Sequence, residues 1–85
     1  MISQSAEYAL RAVVWLASHP EATLSTPEIA RRTMVPAGYL SKILQALARA
    51  GLVTSTPGRT GGFVLARPAN RISVLEVINA IGRLP

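Results

Sequence analysis

The chain has no cysteine and no aspartate, and only one histidine, one lysine and four aromatic residues among 85. Without cysteine there are no disulfides and no thiolate-held metal or iron–sulfur cluster within these residues. The one histidine, His19, lies in a turn beside Pro20. It reads as a solvent-exposed, inert side chain. No nucleophile–base–orienter set can be assembled, so an enzyme is not expected. Long apolar runs are also missing: the longest, Ala12 to Ala17, is far short of a bilayer span. Met1-Ile2-Ser3-Gln4 lacks the basic start of a secretory signal. No membrane association is expected, and the cytoplasm is the expected location. Acid is scarce, with four Glu against nine Lys and Arg, for a net charge of +5. Arginine dominates those cations and suits bidentate contacts to phosphate and guanine. What is abundant is apolar side chain, 49% of the residues, which suits a packed core rather than disorder. The length suits one domain, residues 1–85.

Hydrophobic spacing divides the chain. Ala6, Ala9, Leu10, Val13, Val14 and Ala17 follow the helical period and predict a first helix from Ser5 to about Ser18. Glu7 and Arg11 stand four apart in the favoured acid-first order. Tyr8, Ala12 and Trp15 form a second stripe. Trp15 either closes the core of this domain or meets another helix or subunit. Ser25-Thr26-Pro27-Glu28 fits a capping box that starts a short second helix, with Leu24 and Ile29 as its staple. Ile29 and Ala30 face inward and Arg31 and Arg32 outward or beside a ligand. Pro36 disfavours helix at Val35 and sets a turn. A third helix, 37–50, follows and stops at Gly51. Leu40, Ile43, Leu44 and Leu47 form its apolar face. Gly38, Lys42, Gln45 and Arg49 cluster opposite, with Ser41 on the flank. Leu52-Val53-Thr54 and Phe63-Val64-Leu65 read as strands around Pro57-Gly58-Arg59-Thr60-Gly61-Gly62. A short strand near Thr23-Leu24 would complete the sheet. Ser73-Val74-Leu75-Glu76 is a second capping box, with Ile72 and Val77 as staple. Val74, Val77, Ile78 and Ile81 are the expected buried stripe of the last helix, which ends at Gly82.

The expected fold is mainly α with a small antiparallel sheet. It is a winged helix-turn-helix of about four helices and a two- or three-stranded wing sheet. Such a fold lays one helix in the DNA major groove. Lys42 and Gln45 point outward together; lysine reads guanine acceptors and glutamine pairs with adenine. Gly38 permits close backbone approach. Tyr39 and Ser41 are placed to donate to phosphate near the helix start. Arg49, at the far end, suits the DNA backbone. In the wing, 56–62, Gly58, Gly61 and Gly62 permit backbone angles closed to other residues. Arg59 sits among them with no apolar task. Arg67 would add a phosphate contact, and Arg71 reads as a surface residue.

Glu7 through Arg11, Ser25 through Ala30, Val35 through Leu44, Gly51 through Val53, Gly61 through Arg67 and Ile72 through Ile78 resemble the Rrf2 family. This is a bacterial family of winged helix-turn-helix regulators that includes IscR, NsrR and CymR. The resemblance covers about residues 3–82. It implies a cytoplasmic dimeric repressor or activator on a pseudo-palindromic double-stranded operator. By that likeness Gly38, Tyr39, Ser41, Lys42 and Gln45 take the recognition role, and Gly58, Arg59, Gly61 and Gly62 contact the minor groove and backbone. Two departures stand out. Pro57 occupies a position where many members place arginine, leaving Arg59 as its substitute. Ser41 replaces an acidic residue found in some members, so base preference does not carry over. Members usually continue into a segment of three clustered cysteines, or another sensor, and then a long dimerisation helix. Neither pattern occurs in these 85 residues. The expectation is therefore the DNA-binding portion alone, with no cofactor and a weakened homodimer. Glu7, a position type used for cluster ligation in some members, reads as the partner of Arg11. The competing reading is a winged helix that binds protein, through the third helix or the Tyr8–Trp15 stripe.

Overall fold

The Ser3 side chain accepts a hydrogen bond from the Ala6 N–H at 3.1 Å and starts the first helix, α1, Gln4–Ser18. The computed structural model describes residues 2–21, 24–56, 61–82 and 84. Thr23 and the wing tip, Pro57 to Thr60, which includes Gly58 and Arg59, lie outside these residues. Among the described residues there are four α-helices and one two-stranded antiparallel sheet. After α1 come α2, Thr26–Thr33, and α3, Ala37–Arg49. Strands β1, Val53–Ser55, and β2, Phe63–Leu65, pair Val53 with Leu65 and Ser55 with Phe63. A 3₁₀ turn, Ala69–Arg71, leads into α4, Val74–Ile81. The architecture is the expected mainly helical one. The third strand is not formed at Leu24, whose backbone instead lies against Gly62.

The core is built around α3. Leu40, Ile43, Leu44 and Leu47 are completely buried, as their spacing predicts. Removing each such side chain from water is worth about 1.5–3 kcal/mol. α1 and α4 pack on α3 and on each other, and α2 packs on α3 and α1. On α1 the buried face is Ser5, Ala6, Ala9, Ala12, Val13 and Leu16. Val14, which follows the same helical period, is 63% exposed. Val13 and Leu16 are buried instead, since one helix cannot turn every apolar face toward one core. Trp15 is half-buried, packs against the core, and stacks on His19 with ring centroids 4.2 Å apart. Val74 is likewise exposed, while Val77 and Ile81 carry the burial on α4.

Both helices of the turn motif end on a left-handed residue. Gly51 has φ 78°, and the Leu52 N–H donates to the Leu47 carbonyl while the Gly51 N–H donates to that of Ala48. This is a Schellman stop, and it draws Leu52 out of the strand predicted for it. Met34 ends α2 the same way at φ 59°, with the Val35 N–H donating to the Ala30 carbonyl at 3.1 Å. Met34 is 81% exposed, so its side chain offers little in return. A left-handed angle costs a residue with a Cβ about 1–2 kcal/mol. Met34→Gly is expected to be neutral or to stabilise by up to about 1 kcal/mol, whereas Gly51→Ala loses about 1 kcal/mol or more. Urea unfolding of the two variants checks the opposite signs.

Capping divides the two predicted boxes. At α4, Ser73 Oγ accepts from the Glu76 N–H and Glu76 Oε1 accepts from the Ser73 N–H, both at 3.0 Å. At α2 the box does not form, because Ser25 makes no side-chain cap. The Glu28 carboxylate is taken instead by Arg31 and Arg32, one turn along the same helix.

Candidate nucleic-acid interface

The outward face of α3 follows from its inward face. With the leucines and Ile43 turned into the core, Gly38, Lys42, Gln45 and Arg49 are exposed, and Ser41 is half-exposed beside them. Gln45 Nε2 reaches Ser41 Oγ at 3.5 Å, a long contact that leaves the amide available. No side chain caps the start of α3, so the Gly38 N–H is left for water or an anion. A Cβ built on Gly38 would meet nothing within 4 Å. α3 contains no acidic residue.

Charge is distributed unevenly around this face. Glu7 takes Arg11, Glu28 takes Arg31 and Arg32, and Glu76 takes Arg67. Among the described residues Lys42, Arg49 and Arg71 have no acidic partner, and the first two lie on the outer side of α3. The Arg31 side chain beside Glu28 holds that carboxyl below its ordinary range. The hydrogen bond from the Ser73 N–H, then the one from Arg67, does the same for Glu76. Both shifts have the sign expected of a carboxylate that accepts from neighbouring donors.

α1 holds the motif in place at both ends of the turn. Arg11 bonds Glu7 at 2.5 Å and also donates to the Thr33 and Met34 carbonyls at 3.0 and 3.3 Å. A guanidinium at a helix C-terminus satisfies carbonyls left over by the helix and suits its dipole. At the start of α3 the Tyr39 hydroxyl is bonded to Ser5 Oγ, and its ring meets Tyr8 edge-on at 5.7 Å. Tyr39 is thus half-buried and already engaged by α1, unlike the other residues expected on this face. Sequence reading missed Ser5 and the longer reach of Arg11. The i,i+4 pair with Glu7 was visible, but the carbonyls of α2 were not.

The wing base closes through Thr56 and Gly62. The Thr56 N–H donates to the Gly62 carbonyl at 2.8 Å, and the Gly62 N–H donates to Thr56 Oγ1 at 2.7 Å. Thr56 was not singled out by its sequence context. Gly62 is buried against Leu24 and has no left-handed φ. Its role is therefore close packing rather than an unusual backbone angle, which corrects the reading above. Gly61 is half-exposed at the edge of the tip. Arg67 faces the other way: it donates to the Arg71 carbonyl and to Glu76 Oε2, each at 2.8 Å. Among the described residues no three His, Asp, Glu or Cys gather as metal ligands, and no helix is long and apolar enough to cross a membrane.

A family described as Rrf2, iron-dependent transcriptional regulator, matches residues 2–84. The chain is 42% identical over 77 residues to protein aau3 of Rhizobium meliloti, covering 91% of this chain and 50% of that protein. Its fold is similar to that of T. potens IscR, with a TM-score of 0.88 and 34% identity over 95% of this chain and 60% of the other. It is also similar to CymR, the global cysteine regulator of B. subtilis, with a TM-score of 0.87 and 29% identity over 95% and 64% of the two chains. The chain spans about half the length of the curated relatives it matches.

Proposed function

We propose that this chain, which belongs to the Rrf2 family of transcriptional regulators, is a sequence-specific double-stranded DNA-binding domain. α3 enters the major groove, where Lys42 and Gln45 read base edges. Gly38 and Ser41 approach the backbone near the helix start, and Arg49 contacts phosphate at the far end. The wing, with Arg59 and Gly61, lies on the backbone or in the minor groove. Tyr39 acts by holding the start of α3 against α1, and its partner Ser5 shares that task. Two copies on a pseudo-palindromic operator would suit the two-fold logic of helix-turn-helix proteins. The cytoplasm is the proposed location.

The observation that carries this reading is the sorting of charge. Acids pair with the arginines of α1, α2 and the β2–α4 connection, while Lys42 and Arg49 on α3 stay without acidic partners among the described residues. Cations so placed suit a polyanion that meets α3 broadside. The test is a binding-site selection at fixed salt, followed by affinities at several salt concentrations. A selected duplex is expected to bind more tightly than random DNA. Its log affinity should fall with log salt by about 0.9 for each phosphate neutralised. Binding without sequence preference, or association indifferent to salt, would overturn the proposal and favour a protein-binding module.

A further inference from the structure

We infer that Arg67 is a positioning residue that fixes the wing to α4 through Glu76, and is not itself a DNA contact. The geometry is a closed strap. β2 ends at Leu65, and the Ala66 N–H adds one more bond across the sheet, to the Leu52 carbonyl at 3.0 Å. The next residue, Arg67, turns away from the sheet. One guanidinium nitrogen donates to the Arg71 carbonyl and the other to Glu76 Oε2. The first bond closes the 67–71 turn, and the second ties that turn to the first turn of α4. Glu76 is itself fixed, because its other oxygen accepts from the Ser73 N–H in the capping box. α4 packs on both α1 and α3. The exit of the wing is thus tied to α4 by directed bonds, and α4 is set against the recognition helix by packing. β1, the other wing strand, is joined to α3 directly through the Gly51 stop. The two routes together set the angle between wing and α3, the angle on which simultaneous contact with two DNA grooves depends. An arginine suits this task because its planar fork presents separate nitrogens to the two acceptors, whereas a lysine must donate from a single nitrogen on a flexible stem.

This inference rests on the DNA-binding reading for its function but not for its geometry. Charge signs separate it from a phosphate contact. Glu76→Gln preserves the capping box, which accepts glutamine, and removes a negative charge. Electrostatics alone then predicts tighter DNA binding; a loosened wing predicts weaker binding. Affinities of wild type, Arg67→Ala, Arg67→Lys, Glu76→Gln and the Arg67→Ala/Glu76→Gln double variant are measured on the selected duplex across salt. Fractions of active protein are titrated first, so that unfolding does not register as lost affinity. Each single variant is expected to bind about two- to sixfold more weakly, the scale of a partly exposed ion pair. The salt slope should stay at the wild-type value, and the double variant should bind no worse than Arg67→Ala. A slope reduced by about 0.9 in Arg67→Ala, with Glu76→Gln at or above wild-type affinity, would overturn the inference and make Arg67 a phosphate ligand. Hydrogen exchange at the Ala66 amide reads the strap without DNA. Faster exchange in both Arg67→Ala and Glu76→Gln supports it, and unchanged exchange in both defeats it even if the protein binds no DNA at all.

Discussion

Gly62→Ala is expected to cost about 3 kcal/mol, the upper part of the usual range for overpacking. A Cβ at position 62 would lie 2.0 Å from the Leu24 carbonyl oxygen and 2.9 Å from its carbon. Those are backbone atoms, so no rotamer change relieves the clash. Either the wing base or the segment entering α2 must move. The wing base is held by the Thr56–Gly62 bonds, and the Leu24 side chain packs against the core beside α2. For a domain of this size, with a total stability of about 4–13 kcal/mol, such a loss is a large fraction. The melting temperature should fall by more than 10 °C, at roughly 4–8 °C per kcal/mol. Gly38→Ala provides the contrast. Position 38 is helical and has open space around it, so alanine should stabilise by up to about 1 kcal/mol. The same variant should weaken DNA binding if the backbone approaches phosphate there. Thermal unfolding of Gly62→Ala indistinguishable from wild type would show that the segments are not in this contact.

The second large effect is expected on α3. Gln45→Ala should lose about 1–3 kcal/mol, or roughly 5- to 150-fold, on the selected duplex and little on random DNA. The exposed amide has only one long intramolecular contact, with Ser41, so its removal leaves the fold intact. Lys42→Ala should produce a comparable loss on the selected duplex. If Lys42 reads guanine, substitution of that base pair removes most of the difference between variant and wild type. Arg59→Ala, by comparison, should weaken binding to selected and random duplexes by similar factors. Competition titrations of the three variants on both duplexes resolve the roles. Equal losses on operator and random DNA for Gln45→Ala would remove its recognition assignment.

How much could be read in advance depends on the range over which each interaction acts. The Ser73–Glu76 box and the Gly51 stop were legible because each is completed within about five residues. The same letters failed at Ser25–Glu28, where Arg31 and Arg32 compete for the carboxylate within one helical turn. The buried face of α3 was read correctly since its four large apolar residues leave no alternative. α1 offered apolar side chains around most of its circumference, and periodicity alone could not say that Leu16 would be buried and Val14 exposed. The outward set on α3 was largely recovered. The bond between Tyr39 and Ser5 was not legible because nothing in the neighbourhood of either residue announced the other. The Arg67–Glu76 bond was not legible because a cation after a wing strand is placed for phosphate, and Glu76 had already been assigned to its cap.

The sequence by itself determined where helices start and stop, which face of α3 is polar, and the family to which the chain belongs. Those properties depend on residue chemistry at separations of one to five, plus an ordered pattern along the chain. Only the tertiary structure decided which cations are spoken for and which glycine is a packing contact. It joined Ser5 to Tyr39 across 34 positions, Arg11 to Thr33 across 22, and Arg67 to Glu76 across nine. The physical reason is that a guanidinium or a hydroxyl has the same local signature whether it meets solvent, DNA or a distant carbonyl. Its partner is chosen by how the helices pack, and packing is settled by the buried leucines of α3 rather than by the polar residues themselves.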